Sequence, residues 1–279
     1  MEQILREEIR NFVLVSPDNR FVDNGQPYFG EPLVGFAAAD DPLFTDFKKI
    51  IGDFHLTPGE ILHEAFGCGV EEARTVICWI LPITEATRKS NRQARSIPSR
   101  EWAMTRAHGE HFNTLLRIYL SNLIQSVGAK AVAPLVAGLW RPVKDPQAGM
   151  ASTWSERHAA YAAGLGTFSL NDGFITEKGI AHRCGSVVTD LIIPPSKKTC
   201  SDPWNNCLYH RDGSCGLCIQ RCPVNAISLQ GHDKEKCQAH VYGDLRRTAG
   251  QLYGVMETGC GLCQTAVPCE EKVPRTQRV

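Results

Sequence analysis

The sequence predicts an α/β domain followed by a small cysteine-rich domain. Before residue 194, short apolar runs rich in β-branched residues alternate with long amphipathic helical stretches, which is typical of α/β folds. Cys68, Cys78 and Cys184 are the only cysteines before residue 200, whereas nine lie between Cys200 and Cys269. The stretch PPSKK at 194–198 separates the two compositions and has the character of a linker. We therefore expect domains at residues 1–195 and 196–279.

The first half of the α/β domain begins with a helix and contains one strand and one long helix. MEQILREEIRNFV repeats apolar residues at helical spacing and lacks the apolar core of a signal peptide. Residues 74–81 (RTVICWIL) form a short apolar run ended by Pro82, which predicts a buried strand. Residues 99–127 start with an N-cap serine, keep helical periodicity and stop at Gly128, which predicts a long helix.

The second half predicts two more strands around a helix. Residues 129–139 are apolar enough for a strand, and residues 153–163 read as a helix that ends at Gly164. Residues 185–193 (GSVVTDLII) have the β-branched content of a third strand.

Composition and charge exclude several classes of protein. The 279 residues carry 30 Lys+Arg and 30 Asp+Glu, so the net charge is zero and the broad basic surface of a nucleic-acid binder is absent. No run approaches the roughly 18 apolar residues of a membrane span. We expect a cytoplasmic protein without a membrane partner, and in a reducing cytosol 12 cysteines favour metal ligation over disulfides.

The motif CGLCIQRCP at 215–223 resembles most of an iron–sulfur loop. The bacterial ferredoxin run is C-x2-C-x2-C-x3-C-P, and here its first cysteine is missing. Cys207 is the simplest replacement, and Cys200 is the alternative. A second group then follows around GCGLCQTAVPCE, and the eight thiolates suffice for two [4Fe–4S] clusters. The predicted ligands are Cys207, Cys215, Cys218, Cys222, Cys237, Cys260, Cys263 and Cys269.

In two-cluster ferredoxins the cysteine before the proline ligates the other cluster. Applied here, the rule gives one cluster Cys207, Cys215, Cys218 and Cys269, and the other Cys222, Cys237, Cys260 and Cys263. Two C-x2-C pairs are also compatible with zinc sites, although C-x2-C-x3-C-P with further spaced cysteines favours clusters. Cys78 and Cys68 have the simpler interpretation of structural residues.

The order of motifs ahead of the cysteines resembles the epoxyqueuosine reductase family, which is related to the reductive dehalogenases. The resemblance covers roughly residues 99–269 and is most specific in the last 120. It is carried by Ser155-Glu156-Arg157, the turn AGLG at 163–166, Asn171, the strand onset at Gly185, Thr189-Asp190 and the eight cysteines.

The resemblance implies a cobalamin-binding-like α/β domain followed by a bacterial-ferredoxin-like domain with two [4Fe–4S] clusters. An external low-potential donor of the ferredoxin or flavodoxin type would feed the clusters, which in turn reduce cobalamin. Glycines at the AGLG turn would let the backbone approach a large flat ligand, although a simple helix C-cap explains that turn equally well. The candidate cofactor residues are Trp154, Arg157, Gly164, Gly166, Asn171, Asp172 and Gly173, with His158 and His182 as further candidates that are more simply ordinary polar residues.

Two departures from the family bear on the substrate. The family carries an aspartate, proposed as proton donor, thirteen residues before the AGLG turn, and this chain has Met150 there, so no catalytic residue is assigned. The helical-repeat extension that helps many queuosine enzymes hold tRNA is absent before the end at Val279. Together with the neutral charge, these departures favour a short paralogue acting on a small or nucleoside-like molecule, with tRNA as the less favoured partner.

Three functions remain open from the sequence. The leading hypothesis is a cobalamin-dependent reductase. The second is a non-catalytic electron carrier whose α/β domain docks a partner oxidoreductase, and the third replaces the corrinoid with a flavin. No glycine-rich nucleotide fingerprint supports a nicotinamide or P-loop site.

Overall fold

A four-stranded sheet with helices on both faces forms the centre of the fold. The structure is a computed structural model that describes residues 1–146, 148–198 and 200–275. In chain order, the helices are α1 (Glu2–Val15), α2 (Leu43–Ile51), α3 (Pro58–Phe66), α4 (Glu85–Gln93), α5 (Arg100–Ser126), α6 (Glu156–Ala162), α7 (Leu208–Asp212), α8 (Leu217–Arg221), α9 (Lys234–Ala239) and α10 (Gln251–Tyr253). The strands are β1 (Leu33–Ala38), β2 (Thr75–Pro82), β3 (Ala131–Val132), β4 (Pro142–Asp145), β5 (Gly149–Ser152), β6 (Gly166–Phe168), β7 (Phe174–Thr176), β8 (His182–Thr189), β9 (Ile227–Ser228) and β10 (Gly231–His232).

The central sheet has the order β1-β2-β8-β3, and every neighbouring pair is antiparallel. All eight residues of β2 are buried, because one face of the sheet packs on α1 and α5 and the other on α2, α3 and α6. The predicted mixed class of helices and sheet is confirmed. The antiparallel arrangement is a detail that the alternation of elements did not specify.

Most predicted elements of the first domain are present with small shifts at their ends. The long helix α5 is capped by Ser99, whose hydroxyl accepts from the Trp102 backbone N–H at 3.2 Å. The predicted strand at 129–139 was wrong beyond Val132. Pro134 cannot donate to a ladder and Gly138 has φ 71°, so the chain turns away from the sheet after β3.

The cysteine-rich part has little regular structure and packs closely against the first part. After α9 the chain continues through two π-helical turns, His240–Asp244 and Arg246–Gly250. The Ile180 N–H donates to the Cys269 carbonyl at 2.8 Å, and the Phe168 N–H donates to the Pro203 carbonyl at 2.7 Å. Within the described residues, no helix is long and apolar enough to cross a membrane.

Candidate functional site

Four thiols line one small cavity beneath the β6–β7 hairpin. The walls are Cys207, Cys215, Cys218 and Cys269 with apolar neighbours that include Leu170, Ile175 and Val267. Burial, reinforced by the neighbouring thiols Cys207 and Cys215, raises the pKa of Cys218 to about 12. Burial also raises the pKa of Cys269, and the other three thiols of this group raise it further. These four sulfur atoms therefore form one electrostatically coupled group, here called the first thiol group.

The remaining four predicted ligands form a second thiol group. Burial raises the pKa of Cys260 to about 11, and the nearby Cys237 and Cys222 add to the shift. Burial raises the pKa of Cys263 strongly, and its first charged neighbours are Cys260 and Cys237. The Cys222 sulfur accepts from the Ala226 backbone N–H at 3.1 Å. Cys222 thus lies with the second group, although it directly follows the helix that carries Cys218.

The other cysteines lie apart from these two groups. The Cys200 sulfur accepts from the Asp202 N–H at 3.3 Å and lies close enough to Tyr161 to help burial raise the pKa of that phenol. Cys78 is fully buried in β2, as expected for a structural cysteine. All 12 cysteines are free thiols. Among the described residues, no three His, Cys, Asp or Glu side chains form a group that could hold a single metal ion.

Arg221 fixes the second thiol group to the first part of the chain. Its guanidinium donates to the carbonyl oxygens of Leu262 and Thr265 at 3.1 and 3.0 Å, and to that of Ala94 at 3.0 Å. The Asn171 amide donates to the Cys263 carbonyl at 3.1 Å. Asn171, a predicted cofactor residue, therefore contacts the second group through the backbone.

A cavity of about 530 Å³ lies beside the second group. Three segments form its walls: residues 148–150, residues 169, 170 and 172, and residues 229–235. Trp204 and His210 complete it on the side of the first group. Its volume falls within the range of ordinary ligand and cofactor sites. Met150, which stands where the resemblance predicted an aspartate, is part of the wall.

Charged side chains converge on Asp172 at this wall. The Asp172 carboxylate accepts from the His232 ring Nδ1 at 3.1 Å, and the Lys234 ammonium lies 3.9 Å away. Burial raises the pKa of Asp172, but His232, Lys234 and Arg157 outweigh burial, so the net shift is downward. The carboxylate is therefore held in its charged form.

His232 joins this wall to the second thiol group. Burial disfavours the charged ring, but hydrogen bonds to Asp172 and to the Cys237 sulfur outweigh burial and raise the pKa of His232 to about 9. The Lys234 ammonium donates to the Ala148 carbonyl at 3.3 Å, beside Met150. Sequence reasoning missed His232 and Lys234, and their position just before Cys237 was the available signal.

The predicted cofactor residues are distributed unequally around this cavity. Asp172 lines it, and Arg157 donates to the Asp172 carbonyl oxygen. Gly164 caps α6 with φ 74°, as the simpler interpretation held, and an added Cβ would lie 3.1 Å from the Lys197 carbonyl. Gly166 and Gly173 pack against Ile175 and Ile180. These glycines are explained by backbone packing.

Trp154, His158 and His182 lie in aromatic or polar surroundings and are not among the residues that line the cavity. The Trp154 indole donates to the Ser186 hydroxyl at 3.0 Å and stacks on Phe44. Burial lowers the pKa of His158 to about 3 and that of His182 to about 4. His182 contacts the Phe174 carbonyl at 2.7 Å. Both histidines thus have ordinary structural roles.

Comparisons with known proteins agree with the resemblance predicted from the sequence. No protein-family model matches the chain. A curated epoxyqueuosine reductase from Vibrio cholerae is 26% identical over 197 residues, which are 66% of this chain and 46% of that protein. The chain therefore spans about half the length of this curated relative.

Solved structures share the fold. Epoxyqueuosine reductase from Streptococcus thermophilus matches with a TM-score of 0.55 and 14% identity, over 100% of this chain and 68% of the other. An epoxyqueuosine reductase with an epoxyqueuosine-modified tRNA-Tyr stem loop matches with 0.53 and 16%, over 99% and 67%. A reductive dehalogenase, described with B12-dependent dehalogenation, matches with 0.52 and 15%, over 87% and 30%.

Proposed function

We propose that this chain is an iron–sulfur reductase that passes electrons through two [4Fe–4S] clusters to a corrinoid at the 530 Å³ cavity. The observation that carries the proposal is the sorting of eight thiols into two groups of four beside that cavity. The domain division at residues 195 and 196 is part of the same proposal, because the sheet lies before it and both thiol groups lie after it.

The thiols fit the clusters chemically. Cysteine thiolates are the ligands of [4Fe–4S] clusters, and an apolar surrounding limits solvent access and tunes the potential. The first group has such a wall in Leu170, Ile175 and Val267. When bound, the clusters supply one-electron transfer. The sorting of Cys207 with the first group, and the position of Cys200 beside Tyr161, support Cys207 over Cys200 as a ligand.

The corrinoid part of the proposal depends on the cavity. Its wall includes Met150 and Asp172, and the second thiol group lies behind His232. When bound, a corrinoid supplies a low-valent cobalt reductant. The chain itself would hold the ligand, exclude water and keep charge at Asp172, while the thioether of Met150 cannot deliver a proton. A ligand-sized cavity also favours an enzyme over the alternative of a pure electron carrier.

The partners follow from this arrangement. An external low-potential donor of the ferredoxin or flavodoxin type would reduce the first cluster, because that group lies next to the exposed Leu217. A small or nucleoside-like molecule is the proposed substrate. One related structure holds a tRNA stem loop, and tRNA stays the less favoured alternative for this chain.

The test is the cofactor content of protein purified without oxygen. The proposal expects about eight iron and eight sulfide per chain, and corrinoid bound after reconstitution with cobalamin, measured by metal analysis and visible spectroscopy. Eight iron without corrinoid would favour the electron carrier, and a flavin spectrum would favour the third hypothesis. Zinc in place of iron would overturn the assignment of both thiol groups.

A further inference from the structure

One side of α8 is exposed above the first thiol group. Leu217 stands between Cys215 and Cys218 in the chain and is 39% exposed. Both cysteines are only partly buried, and both line the cavity of the first group. A molecule that covers Leu217 therefore also covers two predicted ligands of the first cluster.

A basic side chain borders this surface at the end of α8. Leu217 and Arg221 are four residues apart and lie on the same side of the helix. The Arg221 guanidinium donates to the Ala94 carbonyl at 3.0 Å. The next residue of that connection, Arg95, is exposed and thus lies beside this end of α8.

The segment that follows the last predicted ligand borders the start of α8. Pro274 lines the cavity of the first group together with Gly216, which immediately precedes α8. Lys272 and Arg275, on either side of Pro274, are both exposed. Three cationic side chains from two distant parts of the chain therefore surround the exposed leucine.

The protein does not neutralise this positive charge. No ion pair or side-chain hydrogen bond among the described residues involves Arg95, Lys272 or Arg275. The carboxylates that are their neighbours in sequence or on the first thiol group, Glu271 and Asp212, are already paired with arginines. Because the whole chain has 30 basic and 30 acidic residues, the excess of positive charge is local to this surface.

We propose that this surface, formed by Leu217, Arg95, Lys272 and Arg275 and here called the α8 face, is the docking site of an acidic electron-transfer protein. The inference rests on the proposed function, because it requires a cluster at the first thiol group. One electron passes from the reduced iron–sulfur or flavin group of the partner to the first cluster, so the partner is oxidised as the cluster is reduced. No bond or proton needs to change place.

The size and charge of the α8 face fit such a partner. Electron-transfer complexes have small contacts, and opposite charges around a small contact speed the encounter of the two proteins without tight binding. A protein that binds nucleic acid makes roughly six to ten phosphate contacts, whereas the α8 face has three unpaired cations around an apolar centre. The observations thus favour a protein partner.

The first experiment maps the contact in oxygen-protected protein, with an acidic flavodoxin as the probe. Iron and sulfide are counted first, and chains without clusters would reject the proposed function and this inference with it. A carbodiimide then joins lysines to carboxylates in the complex, and mass spectrometry locates the joined peptides. We expect flavodoxin to be joined to Lys272 and not to Lys49 of α2, which is 74% exposed. With clusters present, joining at Lys49 as often as at Lys272 would overturn this inference alone.

The second experiment measures reduction of the clusters by reduced flavodoxin in a stopped-flow spectrometer. Arg95→Glu and Arg275→Glu should each lower the second-order rate constant about tenfold at low ionic strength, and added salt should narrow the difference from the wild type. Lys49→Glu is the matched control, because it makes the same change of charge on α2, and it should keep the wild-type rate. Reduction by the small cation methyl viologen should not slow in any of these variants.

Three outcomes of the rate measurement would overturn the proposal. The first is a wild-type rate in both Arg95→Glu and Arg275→Glu, and the second is an equal loss of rate with methyl viologen. The third is an RNA stem loop that displaces flavodoxin and is itself released by the same two substitutions, which would assign the surface to nucleic acid.

Leu217→Gln tests the apolar centre and provides the readout if a charge variant fails to fold. It keeps every charge of the α8 face, so it should slow reduction by flavodoxin at low and at high salt alike. An unchanged rate in this variant would mean that the partner does not cover Leu217 and would overturn the docking site.

Discussion

At the scale of residues, the crossed arrangement of thiols gives the sharpest prediction. Cys222 follows the helix that carries Cys218 but couples to Cys260, whereas Cys269 couples to Cys207, Cys218 and Cys215. Cys222→Ser and Cys269→Ser should therefore each damage a different cluster, leaving about four of eight iron atoms with different EPR signals. Cys200→Ser is the control and should keep about eight iron. Loss of the same signal in Cys222→Ser and in Cys215→Ser would contradict the crossed assignment.

Sequence reasoning reached the cysteines because their spacing itself carries the chemistry. It did not reach His232 or Lys234, since their position just before Cys237 was the one local signal, and that signal does not distinguish the wall of a cavity from an exposed surface. It named Gly164 and Gly166 as candidate cofactor residues with a helix C-cap as an equal alternative, and the structure gives both a packing reason in Lys197 and Ile175. Whether such residues line a cavity or pack against the backbone depends on contacts between distant parts of the chain, and a local sequence pattern does not record those contacts.

At the scale of elements, the connection between α2 and α3 contains a buried histidine without a side-chain partner. His55 is 1% exposed, and neither ring nitrogen has a hydrogen bond within the described residues. The ring stacks on Trp154 at 5.9 Å and meets Phe47 edge-on. Burial and the nearby Lys48 lower the pKa of His55 to about 4, although Glu60 acts in the opposite direction. The folded protein therefore holds this ring neutral.

His55→Phe should remove part of the acid sensitivity of the fold. The unfolded histidine binds a proton near pH 6.5 and the folded one only near pH 4. Between these values protons therefore favour the unfolded state, so the stability that the fold has above pH 6.5 is partly lost as the pH falls toward 4. We expect unfolding free energies within about 1 kcal/mol of wild type at pH 7.5. At pH 5 the variant should be about 2 kcal/mol more stable, measured by denaturant unfolding. His111→Phe, at an exposed position of α5, should show no such gain, and parallel pH curves would refute the argument.

The elements themselves were predictable where a cap or a breaker marks their ends. Ser99 starts α5 and Pro82 ends β2, as the sequence indicated. The length of β3 was not predictable from hydrophobicity, because the apolar run continues beyond Val132 while Pro134 and Gly138 turn the backbone away from the sheet. Strand direction depends on the path of the chain between strands, which propensity does not describe.

At the scale of the whole molecule, an ion-pair network ties α4 to the segment that follows Cys269. Glu270 pairs with Arg88 at 3.2 Å and Arg92 at 2.8 Å and is 5% exposed, whereas Glu271 contacts the same arginines at 3.0 and 3.4 Å but is 46% exposed. The Glu270 carboxylate also accepts from the Ala266 N–H at 2.7 Å.

Glu270→Gln should destabilise the protein far more than Glu271→Gln, because it leaves two partly buried guanidinium groups with only the more exposed Glu271 carboxylate and loosens the loop that holds Cys269. Breaking a buried pair in this way costs about 3–5 kcal/mol, whereas an exposed pair contributes about 0–1 kcal/mol. Denaturant unfolding of the iron-loaded protein measures the difference. Because Cys269 belongs to the first thiol group, Glu270→Gln should also release iron faster to a chelator, and from the first cluster before the second. Equal losses of stability in the two variants would mean that burial of Glu270 does not control how the two parts of the chain are held together.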